Sequence, residues 1–126
     1  MTIATLLATP TNIATQYVHI WNENNPARRR MLIEQAFTPQ ASYIDPLMQS
    51  VGHEAMDAMI GAAQAQFSGL HFSVVGNPDG HNNVVRFSWA LGAPDVEPLA
   101  IGTDIAVVTP EGRIEKITGF LDKMLA

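Results

Sequence analysis

Along the first half of the chain apolar side chains recur at intervals of three and four, and along the second half at intervals of two. A helix buries one stripe at roughly 3.6 residues per turn and a strand buries alternate residues, so the halves predict helices first and strands afterwards. Ile13, Tyr17, Ile20 and Trp21 mark a first helix, which Thr11 can cap and the turn NENNP can end. Asn25 and Pro26 supply an N-cap and a first-turn proline for a second helix, with Leu32, Ile33, Ala36 and Phe37 on one face. A short strand over 41–45 follows, and HEAMDAMIGAAQAQF then carries Met56, Met59, Ile60, Ala63 and Phe67 on a third helix.

The remaining chain predicts four strands: LHFSVVG, NVVRFSWALG, PLAIGTDIAVVT and RIEKITGFL. Turn chemistry separates them, at Asn77–Pro78–Asp79–Gly80, at the 92–94 loop and at Pro110–Glu111–Gly112. Short turns enforce antiparallel pairing, so the fold class is α+β, with the helices on one face of a curved sheet. No repeat or linker interrupts residues 1–126, which form a single domain with its core at about 11–121.

Parity assigns the faces. Val85, Phe87, Trp89 and Leu91 point to the helices, as do Ile117, Gly119 and Leu121 of the last strand. The strand 98–109 is apolar on both faces, which predicts a cover on each, helices inside and a second copy of the protein outside. Asp104 interrupts it on the side of Gly102 and Ala106. A carboxyl there demands a partner or a raised pKa, and the small neighbours leave room for a ligand; a structural Asp anchoring a polar group is the alternative.

Composition narrows the function. A net charge of −5 argues against a nucleic-acid surface, and Arg28–Arg29–Arg30, the only basic run, reads as a solvated helix rim with Glu34 positioned to pair with Arg30. With no cysteine there is no disulfide, thiolate nucleophile or thiolate metal site. No stretch reaches membrane-spanning length and MTIATLLATP lacks a basic start, so the expected location is cytoplasmic. His19, His53, His71 and His81 lack metal-ligand spacing; His53 suits helix capping, and His71, at a strand start, is a proton-transfer candidate. Asp45, between Ile44 and Pro46, has two readings: a turn residue in water, or a base at a pocket mouth.

The order of two helices, a strand ending YIDP, Gly52 before a third helix and four strands carrying GTDIAVVTPEGRI resembles the nuclear-transport-factor-like superfamily, which includes ketosteroid isomerases and SnoaL-like polyketide cyclases. The segments IWNENNPARRR, YIDP and ITGFLD read most like SnoaL-like bacterial proteins, and the resemblance covers roughly residues 11 to 121. It implies a cone-shaped barrel of curved, mainly antiparallel sheet with three N-terminal helices on its concave face. It also implies a deep apolar pocket, no cofactor, and a homodimer formed through the outer sheet face.

Laid on the ketosteroid isomerase pattern, Asp45 matches the base of the Asp–Pro pair, Asp104 the protonated acid and Tyr17 the hydrogen-bonding tyrosine. Phe37 and Ile60 stand where that pattern has supporting tyrosines, and extra residues separate Tyr17 from Asp45, so steroid isomerisation itself is not implied. Trp21, Tyr43, Phe67, Phe87 and Trp89 are the expected pocket walls, with Ile117 and Leu121 from the last strand. Arg86 lies on the opposite parity and reads as an outer-face residue, which weakens an epoxide-hydrolase reading. The expected function is binding of a small hydrophobic oxygenated molecule with acid–base catalysis (isomerase, lyase, cyclase or hydrolase), Asp45 acting as base and Asp104 as acid or water-positioning group. The alternative is a non-catalytic binding or dimeric interaction module whose carboxylates are structural.

Overall fold

A computed structural model describes residues 9–125. Three helices, α1 (Pro10–Asn22), α2 (Pro26–Ala36) and α3 (His53–Gln66), accompany six strands: β1 (Phe37–Ile44), β2 (Gln49–Val51), β3 (His71–His81), β4 (Val84–Gly92), β5 (Ala100–Val108) and β6 (Ile114–Met124). The strands form one sheet in the order β2-β1-β6-β5-β4-β3. Every pairing is antiparallel except that of β1 with β6. The sheet stays open, with β2 and β3 as edges, so the cone is a sheet plugged by helices rather than a closed barrel.

Local chemistry sets the helix starts. Thr9, not Thr11, caps α1 by accepting from the Asn12 amide at 3.2 Å, which lets Pro10 take the first turn, where its missing N–H costs nothing. Asn25 caps α2 by accepting from the Arg28 amide at 3.0 Å. Phe37 leaves the helix and opens β1, fully buried; a bulge between Phe37 and Ser42 then shifts the register. His53 does not cap: its Nε2 lies 3.1 and 3.0 Å from the Phe37 and Thr38 carbonyls and ties α3 to that bulge.

The expected turn at 77–80 is also displaced. Those residues stay in β3 as an irregularity after Gly76, whose φ is +69°, and the chain reverses at Asn82–Asn83, with Asn82 at φ 51°. Parity inside the sheet follows expectation: Val85, Phe87 and Leu91 are buried, and so are Ala100, Gly102, Asp104, Ala106 and Val108. On the outer face Ile101, Ile105 and Val107 are half-buried and Phe120 is exposed. Arg86 points outward and holds Asp79 through Nε and Nη2 at 3.0 and 2.7 Å.

Arg28 and Arg30 of the arginine run stay solvated, but Arg29 does not. Arg29 is 6% exposed, bonded through Nε to Asp57 at 2.6 Å and through Nη1 to Gln64 at 2.7 Å, which clamps α2 to α3. Arg30 faces Asp57 at 3.9 Å instead of Glu34, and Arg28 faces Glu23 at 3.7 Å. Among the described residues no helix is long and apolar enough to cross a membrane.

Candidate functional site

Strand register brings the two acids together. Asp104 of β5 pairs with Gly119 of β6, and Ile44 of β1 pairs with Thr118 on the other side, so Asp45 arrives beside the same glycine. A Cβ added to Gly119 would lie 2.9 Å from Asp104 Oδ1 and 3.2 Å from Asp45 Cβ. The missing side chain is what lets the carboxyls approach over one row of the sheet.

Their surroundings differ. Asp45 closes the β1–β2 loop: Oδ1 accepts from the Leu47 and Met48 amides at 2.7 and 2.8 Å, and Oδ2 accepts from the Tyr43 hydroxyl at 2.5 Å. It is thus both the turn residue of one reading and a wall of the cavity of the other. Asp104 is 2% exposed and accepts from Trp89 Nε1 at 3.1 Å, with the Tyr17 hydroxyl acting on the same carboxyl. Burial pushes the Asp104 carboxyl up to about 6; the Trp89 and Tyr17 donors pull it down, and the charge of Asp45 adds to the rise. Burial likewise holds both tyrosine hydroxyls well above their ordinary value, reinforced by Asp104 at Tyr17 and by the Asp45 hydrogen bond at Tyr43, so both remain donors.

The space beside Gly102 is not free for a ligand as expected. Trp89 is its cross-strand partner, and a Cβ there would collide with the indole Cζ2 and Cε2. The glycine instead lets the ring lie flat on the sheet with Nε1 aimed at Asp104. Aromatic rings then enclose the hollow: Trp21 lies 5.8 Å from Tyr43 and 5.4 Å from Phe72, and Phe72 lies 5.4 Å from Trp89.

The resulting cavity, about 60 Å³, is lined by Asp45, Asp104 and Tyr17. Of the expected walls, Trp21, Tyr43, Phe67, Trp89 and Leu121 line it. Phe87 and Ile117 do not: at 2% and 0% exposure they belong to the core beneath it, Phe87 edge-on to Tyr17 at 5.2 Å. Sequence reasoning missed Phe72, Met48 and Met124. The alternation of Phe72 with Val74 was a usable signal; the two methionines carry none. His71 lies outside this cavity and lines a neighbouring one. Among the described residues no three acid or histidine side chains gather as metal ligands.

No family model and no curated protein matches the chain. Solved structures do. A SnoaL-like family protein from Agrobacterium tumefaciens str. C58, provisionally assigned as an isomerase, is 46% identical over 90% of this chain and 97% of its own, with a TM-score of 0.85. A provisionally assigned SnoaL-like polyketide cyclase from Jannaschia sp. CCS1 matches at 17% identity, 89% and 86% coverage and TM-score 0.66. A provisionally assigned ketosteroid isomerase from Kribbella flavida matches at 14%, 90% and 78%, with TM-score 0.65. The last two share the fold.

Proposed function

The chain belongs to the SnoaL-like family, and from that premise we propose that it moves protons on a small, hydrophobic, carbonyl-bearing molecule, as an isomerase or cyclase. One observation carries the reading: Asp45 and Asp104 flank Gly119 in the wall of a single aromatic-lined cavity. In this reading Asp45 takes a proton from the carbon beside the carbonyl. Asp104 in its neutral form, supported by Tyr17, donates to the oxygen on which charge develops. The Tyr43 bond fixes the Asp45 carboxylate, which leaves little reorganisation to the reacting step.

The loop amides bonded to Asp45 favour a second reading, in which that carboxylate is an anchor and the chain binds its ligand without turnover. One experiment separates the two. Asn keeps an acceptor for both amides but loses the proton-accepting charge, so Asp45→Asn should retain the fold and cut turnover on a panel of ketones, enones and β-keto esters by about 10²–10⁴. An acid is active only while protonated, so the rate should fall as pH rises through about 6, and Asp104→Asn should abolish that limb. A panel with no turnover would favour the binding reading, and turnover left unchanged in Asp45→Asn would remove Asp45 as the base.

A further inference from the structure

The acid cavity is too small for the substrate class just proposed: small-molecule sites enclose roughly 300–1,000 Å³, and this hollow offers about 60 Å³. A second hollow of about 270 Å³ lies against it at the ends of α1 and α3, and Trp21, Ala63, Phe67, Phe72 and Leu91 line both. Joined, they reach the lower end of that range. From this shared wall we infer that the two cavities form one ligand channel, divided by Phe67, which takes an elongated molecule with its apolar, reacting end beside the acids and a carboxylate at the other end.

Phe67 suits the divider. It follows the last turn of α3, two residues before Gly69, whose φ is +85°. Among the described residues it is the one aromatic ring of the acid cavity with no ring partner. Swinging it costs no stacked contact.

The second cavity sorts its polar groups into walls and binders. Asn22 exchanges both of its amide groups with the Phe72 backbone at 2.8 Å, and Gln64 is spent on Arg29 and on the Trp21 and Glu23 carbonyls. Asn24, Ser68 and His71 are exposed, line the same space and have no side-chain partner among the described residues. All three can donate hydrogen bonds, and no acidic side chain lines this hollow. The acid cavity holds both carboxyls. An anionic end therefore belongs with Asn24, Ser68 and His71, which orients the ligand.

The inference rests on the proposed function only for which end reacts, and its test reads binding, not turnover. A series of ω-phenylalkanoates of increasing chain length is titrated against the full chain, following the fluorescence of Trp21 and Trp89. Affinity should rise with length until both cavities are spanned. Asn24→Ala combined with His71→Ala should weaken the longer members about tenfold, with unchanged circular dichroism, and Phe67→Ala should tighten them. Asp104→Asn, whatever its turnover, should still bind. Absence of binding, or affinity indifferent to both chain length and the double substitution, would overturn the proposal.

Discussion

Between α2 and α3 a half-buried Asp57 meets a buried cation: Arg29 Nε lies 2.6 Å from its carboxylate, and Arg29 Nη1 donates to Gln64 and the Glu23 carbonyl. On the concave face of the sheet the chain buries Asp104 with only neutral donors, Trp89 and Tyr17, and a second carboxylate next door. The first arrangement compensates its charge and clamps two helices. The second leaves charge uncompensated, and the consequence is a carboxyl that changes state near neutral pH. A carboxyl taken partly or wholly out of water thus has opposite meanings, and the identity of its donors decides which one holds.

Breaking the compensated pair should give the larger effect on folding. Arg29→Ala removes the buried cation of the pair, leaves half-buried Asp57 only the more distant Arg30, and should cost up to about 3–5 kcal/mol in denaturant unfolding. A loss no larger than that of an exposed ion pair would show that the cluster is solvated after all. Disturbing the uncompensated site should cost less. Gly102→Ala drives a methyl into the Trp89 ring, with an expected loss of about 1–3 kcal/mol from overpacking. It should also detach Nε1 from Asp104, seen as a changed near-ultraviolet signal. Unchanged indole spectra would mean that the glycine does not seat the ring.

Alternation and turn chemistry made much of this legible. The inward set of β4 follows from side-chain parity, whereas β5, apolar on both faces in sequence, shows its alternation of buried and half-buried residues only in the fold. The failures have local causes. Phe37 is apolar at a helix end, where a last helical turn and a first buried strand residue look alike. The Asn-Pro-Asp-Gly cluster holds real turn residues, but the fold uses them for an irregular stretch within β3. β2 has only three residues, too few to show a period.

The site was legible as a list of residues and not as a geometry. Asp45, Asp104 and Tyr17 are named as candidates through the family resemblance, and their meeting depends on the parallel register of β1 with β6, which hydrophobic period does not set. For the same reason Arg29 looked like a solvated charge: its partner Asp57 lies 28 residues further along the chain. Gly102 and Gly119 carried the usable hint, since glycine inside a strand marks close approach of another group. In one case the visitor is the protein's own indole, in the other a pair of carboxyls.

The central claim is that Asp104 is a buried, cation-free acid poised near neutrality, and the Trp89 indole bonded to it is its reporter. With only two tryptophans in the chain, a ¹H–¹⁵N titration of the indole resonances isolates that bond. The account predicts that one indole signal shifts with a midpoint near pH 6 and that Asp104→Asn abolishes the transition. A midpoint at the ordinary Asp value of 3.8, or a transition that survives the substitution, would contradict it.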